Sequence, residues 1–203
     1  DVDGLSDNGC ECLPEETPDI AADGIDSNCD SVDGDAAVAV FVAKDGNDAA
    51  TGTLGDPMLT LTAALQRAAE EGKSDIYVAT GVYSESIMLL DGISLFGGFA
   101  SGFESHDPVL FETAILGHPP TADFPATIVG MNIGQGLTEQ PTIVDGFTVL
   151  GPIAANELNA NSYALYLRDC GSLVQVRSNR ILAGPGGNGD SGNSGGDGED
   201  GSS

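Results

Sequence analysis

The stretch LDGISLFG at residues 90–97 decides the fold prediction, because it returns as VDGFTVLG at residues 144–151. Each copy has an Asp-Gly pair, then apolar residues around a Ser or Thr, then a glycine. A shorter version, TAILG, occupies residues 113–117. Asp-Gly favours a tight corner, and the residues after it favour a short strand. The offsets of 54 and 20 residues are unequal, which is typical of a solenoid whose coils carry loop insertions.

Short strand-like segments separated by Gly, Asp, Asn and Pro fill most of residues 37–184. No helix-sized segment separates those that follow residue 72, which disfavours a sheet built from βαβ units. The sequence therefore predicts an all-β protein, a parallel β-helix. A β-sandwich is the alternative fold, but a sandwich would not predict a repeated Asp-Gly corner in front of each strand.

One α-helix is predicted over residues 60–71. Thr60 is its candidate N-cap, and Gly72 is its stop signal. Four apolar residues recur at the helical spacing i, i+3, i+4, i+7 and share one face. They are Leu61, Ala64, Leu65 and Ala68.

The segment from VFVAKDG to LFGGF, residues 40–99, closely resembles the N-terminal entry of pectate-lyase-like right-handed β-helix proteins. The resemblance extends over residues 38–184. In that superfamily an edge strand, a Gly-rich turn and one capping helix precede the first coil. The resemblance therefore implies a right-handed solenoid whose N-terminal end is covered by the helix at 60–71.

Residues 1–36 are rich in Asp, Gly, Pro and Cys and form a predicted irregular segment. Asp26, Asn28 and Asp30 alternate, and Asp33 follows, so their oxygens can face a hard cation such as Ca²⁺. A shorter set of the same kind begins the chain: Asp1, Asp3 and Asp7. The alternative is that these side chains bond the local backbone in Asx turns.

The stretch DGIDSNCDSVDGD, residues 23–35, resembles an Asp-rich metal-binding repeat of secreted bacterial proteins. The usual repeat has glycine after NCD, whereas Ser31 stands there in this chain. That departure puts the tight turn, and with it the ion geometry, in question.

Four cysteines allow several pairings, and three of them lie in the first 29 residues. We expect a Cys12–Cys29 disulfide, which leaves Cys10 and Cys170 unassigned. Metal ligation by Cys10 and Cys12 is an alternative, but no second CxC or CxxC motif supports it. Such a staple suits a secreted, extracellular or cell-surface protein.

The net charge of −26 argues against nucleic acid or anionic lipid as a partner, since both need cationic surface. It favours divalent cations as partners, because they would neutralise part of the negative charge and reduce the repulsion between carboxylates. No apolar stretch is long enough to span a membrane.

Three of the four arginines fall within 13 residues: Arg168, Arg177 and Arg180. If the apolar residues of these strands point inward, the arginines face outward, where they could bind an anion, a glycan or an acidic partner. No catalytic set is recognised, and His106 and His118 are expected to lie on the surface.

Residues 185–203 carry glycine at every third position from Gly186 to Gly201. They are interpreted as a polyglycine-II-like strand, an insertion between coils, or a solvated linker. The whole pattern predicts a calcium-stabilised structural or adhesive module that assembles with itself into an oligomer or filament. A polysaccharide-binding or lyase-like protein is the alternative.

Overall fold

The computed structural model describes residues 19–135, 139–154, 160–192 and 195. These residues contain one α-helix, α1 (Leu61–Glu71), a 3₁₀ turn at Ala36–Val38, and twelve strands. The strands are β1 (Ala39–Val42), β2 (Asp75–Ala79), β3 (Gly81–Ser84), β4 (Ile87–Met88), β5 (Ser94–Phe99), β6 (Thr113–Leu116), β7 (Ala126–Met131), β8 (Thr142–Asp145), β9 (Phe147–Leu150), β10 (Tyr163–Arg168), β11 (Val174–Arg177) and β12 (Arg180–Leu182).

The strands form three parallel sheets. Sheet A has the order β1-β2-β5-β8-β11, sheet B the order β3-β6-β9-β12, and sheet C the order β4-β7-β10. The chain passes from A to B to C in three successive coils, and β11 and β12 begin a fourth. Every named strand pair is parallel. The predicted parallel β-solenoid is therefore confirmed, and the β-sandwich alternative is wrong.

The two copies of the Asp-Gly motif are not stacked on each other, so reading their offset as a coil spacing is wrong. The strand after the first copy's corner is β5 in sheet A, whereas the strand after the second is β9 in sheet B. The residue stacked on Leu95 is Val144. The motif specifies a corner, but every coil has several corners, so it does not say which sheet follows.

The predicted helix is confirmed with both of its ends. The Thr60 hydroxyl accepts a hydrogen bond from the Ala63 amide, and Gly72 ends the helix in the left-handed region at φ 68°. The first coil supplies a second capping group. The buried Glu85 carboxylate accepts hydrogen bonds from the backbone amides of Leu61 and Thr62, each at 2.9 Å. A carboxylate is favourable here because the N-terminus of a helix is its positive end.

Inside the solenoid, apolar side chains from successive coils stack in columns. In sheet A one column is Val40, Ile76, Leu95, Val144 and Val176, and in sheet B another is Tyr83, Ile115, Val149 and Ile181. The apolar face of α1 joins this core through its four predicted residues. Removing these side chains from water is the main stabilising term of the fold.

A second core lies on the outer face of sheet A. Phe41, Tyr77 and Phe96 are stacked rungs of that face, with ring centroids 5.6 Å apart for the first two and 5.9 Å for the last two. Val32 and Phe103 pack onto this aromatic ladder from outside. The described part of the Asp-rich segment is therefore packed against the solenoid.

Candidate functional site

In the last described coil, side chains of the inward columns are exposed. In sheet A, Val144 is 1% exposed, but Val176, stacked on it, is 38% exposed. In sheet B, Val149 is 1% exposed, and Ile181, stacked on it, is 43% exposed. These inward side chains are exposed because no further described coil covers them.

The backbone at this end is open as well. Strands β10, β11 and β12 are each the last strand of a sheet, and each pairs on one side only within the described residues. Their free edges therefore present unpaired amide and carbonyl groups beside exposed apolar side chains, a template for further strand pairing. We call this surface of the described part of the chain, formed by β10, β11 and β12, the open end.

The three predicted arginines all lie at the open end, but on three different sheets. Arg168 ends β10 in sheet C, Arg177 ends β11 in sheet A, and Arg180 begins β12 in sheet B. All three are exposed. The single arginine-lined face expected from the sequence is therefore not formed. The side chains instead surround the open end, one on each sheet.

Arg177 has a partner that the sequence did not suggest. Its Nε lies 2.8 Å from Oδ2 of Asp145, the buried residue stacked beneath it in sheet A. Arg168 lies 3.6 Å from its exposed neighbour Asp169. Asp145 was missed because its pairing with Arg177 depends on coil register, and loop insertions of unequal length hide that register in the sequence.

Beside Arg180 the outer face of sheet B carries a groove of about 410 Å³. Its polar lining comes mainly from Glu112, Thr148, Asn179 and Arg180. Glu112 accepts a hydrogen bond from the Thr148 hydroxyl at 2.8 Å. Asn179 is held by the backbone, because its side chain bonds the Phe147 amide and the Val144 carbonyl.

The predicted calcium ligands that the structure describes all bond local backbone amides. Asp26 accepts the amides of Asp30 and Ser31. Asn28 and Asp30 make Asx-turn bonds to the amides two residues on, at 2.9 and 3.0 Å. This is the alternative expected for such side chains. No cluster of three or more His, Cys, Asp or Glu in the described part of the chain is arranged to hold a metal. Asp1, Asp3 and Asp7 lie outside the described residues.

Asp33 is bound to the solenoid rather than to its own loop alone. It accepts the amides of Asp23 and Gly24, and its Oδ2 lies 3.6 Å from Nδ1 of His106. Burial raises the pKa of the Asp33 carboxyl, and the Gly24 amide and His106 oppose that shift.

The surface prediction for His106 is wrong, because its side chain is only 7% exposed. Its Nε2 lies 2.9 Å from the Gly97 carbonyl, and its ring packs on Phe99 at 4.9 Å. His118 is exposed as expected. His106 has no sequence motif around it that could have marked this role.

The cysteine predictions are answered only in part. Cys29 is disulfide-bonded, and Cys170 is a free, half-buried thiol. The predicted partner Cys12 lies outside the described residues, as does Cys10, so the Cys12–Cys29 pairing stays a prediction.

A half-buried carboxyl, that of Asp75, lies where the Asp-rich segment meets sheet A. The Tyr77 hydroxyl accepts a hydrogen bond from the Asp35 amide at 3.0 Å and lies 3.3 Å from Oδ2 of Asp75. Burial, helped by the nearby Asp35 charge, raises the pKa of Asp75 to about 6, although hydrogen bonds from Ser74 and Tyr77 oppose the shift.

We predict that Asp75→Asn removes a pH dependence of stability. Folded Asp75 keeps its proton up to about pH 6, whereas an unfolded Asp loses it near its ordinary value of 3.8. The native state therefore binds more protons between these values, and stability falls as pH rises through this window. At pH 7.5 the variant should be more stable by up to about 3 kcal/mol, since each pKa unit corresponds to about 1.4 kcal/mol.

Urea unfolding of both proteins at pH 4, 5, 6 and 7.5 measures this difference. Every other carboxyl is the same in both proteins, so the difference between the two curves isolates Asp75. Parallel curves for wild type and variant, or a less stable variant at pH 7.5, would contradict the prediction.

The fold defines a parallel β-solenoid protein. Residues 44–194 match a protein family of unknown function, DUF1565, and the chain belongs to that family. No curated protein and no solved structure matches the chain significantly. Within the described residues, no helix has the length and apolar character needed to cross a membrane.

Proposed function

We propose that this chain is an extracellular structural or adhesive module, stabilised by calcium, that assembles with itself at a cell surface or in a filament or matrix. The observation that carries the proposal is the rise in side-chain exposure along each inward column at the last described coil. Val176 and Ile181 are 38% and 43% exposed, where the residues stacked beneath them are 1% exposed. Covering these side chains and pairing the free strand edges both favour association.

Ile181→Asn tests this proposal against Val82→Asn as a matched control. Both residues are exposed apolar strand residues in sheet B, but Ile181 belongs to the open end, whereas Val82, 56% exposed, belongs to β3 in the first coil. We expect wild type and Val82→Asn to associate with rising concentration in multi-angle light scattering, and Ile181→Asn to stay monomeric. Electron microscopy shows whether the assemblies are filaments. A wild-type chain that is monomeric at every concentration, with and without calcium, would disprove the proposal.

Calcium is the cofactor we propose, held by Asp26, Asn28, Asp30 and Asp33. Support comes from the net charge of −26 and from the alternating oxygen ligands in this segment. Because the segment packs on the aromatic ladder through Val32, an ion bound there would also stabilise the solenoid.

Raising calcium from zero to 5 mM should increase the melting temperature of the wild type. It should not do so in Asp26→Asn/Asp30→Asn, and magnesium at the same concentration controls for simple screening. An equal rise in both proteins would contradict a calcium site in this segment.

Three finer points belong to the same proposal. The disulfide state of Cys29 supports an oxidising, extracellular location. The helix α1 packs against β1 and β4, the first strands of sheets A and C, which supports a capping role. Right-handed winding and membership of the pectate-lyase-like superfamily are supported by the resemblance of residues 40–99, and parallel crossovers are nearly always right-handed.

The groove beside Arg180 favours a second candidate, a polysaccharide-binding or polysaccharide-cleaving protein. Its guanidinium, carboxylate, hydroxyl and amide groups suit an acidic glycan. Release of unsaturated sugars from acidic polysaccharides that is lost in Arg180→Ala would support this candidate over the structural one. Arg177→Ala is a useful comparison, because Arg177 is already paired with Asp145.

A further inference from the structure

We propose that the corner before β5 and the C-terminal end of α1 form a binding site for a small aliphatic amine, in which the Asp91 carboxylate pairs with the ammonium group of the ligand. Asp91 is the aspartate of the first Asp-Gly motif. The site is separate from the residues of the proposed assembly and calcium sites, so its test does not depend on either of them.

A cavity of about 560 Å³ lies between these two elements. Small-molecule sites usually have volumes of about 300–1,000 Å³, so this cavity is large enough for a small ligand. Its walls are formed mainly by apolar side chains, with a few polar groups among them. The apolar side chains are those of Val38, Ala68, Ala69, Leu90 and Ile93, and the polar ones are those of Lys73, Ser74, Asp91 and Gln140.

The Asp91 carboxylate is bonded at one oxygen only. Its Oδ1 accepts a hydrogen bond from the Gly134 amide at 2.7 Å. Its Oδ2 is buried and has no hydrogen-bond partner among the described residues. In the second copy of the motif the corresponding carboxylate, that of Asp145, is paired with Arg177 at 2.8 Å. Because an unpaired buried carboxylate oxygen is costly, a cationic partner at Asp91 would be stabilised.

The position of Asp91 allows a ligand in the cavity to meet this oxygen. The side chain as a whole is half-buried and lines the cavity. The Cβ–Cγ torsion of an aspartate is soft, so Oδ2 can turn toward a cation there. The helix α1 ends at Gly72, which also lines the cavity, and the C-terminal end of a helix carries partial negative charge. Both features attract a cation and repel an anion.

Lys73 is the basic side chain among the described lining residues. Its Nζ donates a hydrogen bond to the Ala37 carbonyl, so the ammonium is bonded to the backbone while the residue still lines the cavity. Its positive charge opposes a second cation in the same cavity. Lys73 should therefore weaken the binding of an amine without preventing it.

One carboxylate between apolar walls favours an organic cation over other ligands. A Ca²⁺ ion takes six to eight oxygen ligands, which apolar walls do not supply. A neutral apolar ligand would leave the Asp91 oxygen unpaired. A short aliphatic amine satisfies both parts of the site, because its methylene groups pack on the apolar walls and its ammonium donates hydrogen bonds to the carboxylate.

Calorimetric titration of the full chain with 1,5-diaminopentane at pH 7.5, where the amines are protonated, tests the inference. Asp91→Asn should bind about tenfold more weakly or worse, because it removes the charge but keeps an oxygen for the Gly134 amide. Glu104→Gln is the matched control. It removes an exposed carboxylate that lines a different pocket, so its affinity should stay within about twofold of the wild type.

Lys73→Met removes the opposing charge and keeps an unbranched apolar stem, so it should tighten binding about threefold. Circular dichroism with a melting curve checks that each variant folds. If Asp91→Asn does not fold, Lys73→Met still decides, because weaker binding in that variant would contradict the inference.

Three results would overturn the site as proposed. The first is the absence of any heat of binding for the wild type at millimolar diamine, or an unchanged affinity in Asp91→Asn. The second is equal binding of the neutral analogue 1,5-pentanediol, since the ammonium would then not be recognised. The third is binding of N-acetyl-lysine amide without binding of the diamine, which would assign the cavity to a lysine side chain of a partner protein.

Discussion

Gly146→Ala is expected to lower the free energy of unfolding by about 3 kcal/mol or more, because two costs add at this corner. Gly146 has φ 78°, in the left-handed region where a side chain costs about 1–2 kcal/mol. An added Cβ would also lie 2.6 Å from the Gly97 carbonyl oxygen. That oxygen belongs to the backbone of the preceding coil, so the clash cannot be relieved by a rotamer change.

Gly55→Ala is the matched control, because a Cβ there has no atom within 4 Å and its φ is not in the left-handed region. Alanine at that position should be neutral or stabilise by less than about 1 kcal/mol through the unfolded state. Urea unfolding followed by circular dichroism measures both variants. If Gly146→Ala unfolds at the same urea concentration as Gly55→Ala, that result would contradict the close contact between the two coils at Gly97.

Phe41→Ala is expected to cost about 3–5 kcal/mol, the usual range for emptying a buried aromatic site. Phe41 is 1% exposed and is the first rung of the aromatic ladder. Its ring also meets Phe103 edge to face, with centroids 5.0 Å apart. Its loss should weaken both sheet A and the packing of the Asp-rich segment, so residues 19–36 should become more sensitive to limited proteolysis.

Phe124→Ala makes the same chemical change at a half-buried site beside α1 and should cost only about 1 kcal/mol, because less area returns to water. Equal loss of stability in the two variants, or unchanged proteolysis of residues 19–36 in Phe41→Ala, would contradict the packing of the segment on the ladder. Mass spectrometry of the fragments identifies the cleavage sites.

Several local features were readable from the sequence because short-range interactions determine them. The helix ends at Thr60 and Gly72 follow from capping chemistry. The Asp-Gly corners follow from the freedom of glycine, and Gly92 and Gly146 both have positive φ. Strand β11 also follows from its alternation of apolar and polar residues. The oxygens of Asp26 and Asn28 were assigned to one local loop, and their bonds are indeed local.

The site residues that the sequence missed are those whose partners come from another coil. Asp145 meets Arg177, and Asp33 meets His106, across separations of 32 and 73 residues. Each separation includes loops of irregular length, so no fixed period predicts which side chains are stacked. The aromatic ladder has the same origin, since Phe41, Tyr77 and Phe96 become neighbours only after the coils are in register.

The sequence by itself determined a parallel β-solenoid with one helix, an acidic surface and a cluster of three arginines. Tertiary structure alone decided that these arginines lie on the last described strands of three different sheets, that the Asp-rich segment packs on sheet A, and that the His106 side chain is buried. The physical reason is that local backbone preferences select strands, corners and helix ends, whereas the register between coils is set by the packing of the core and by loop lengths. Charges that are neighbours in sequence are therefore distributed over three sheets at one end of the molecule.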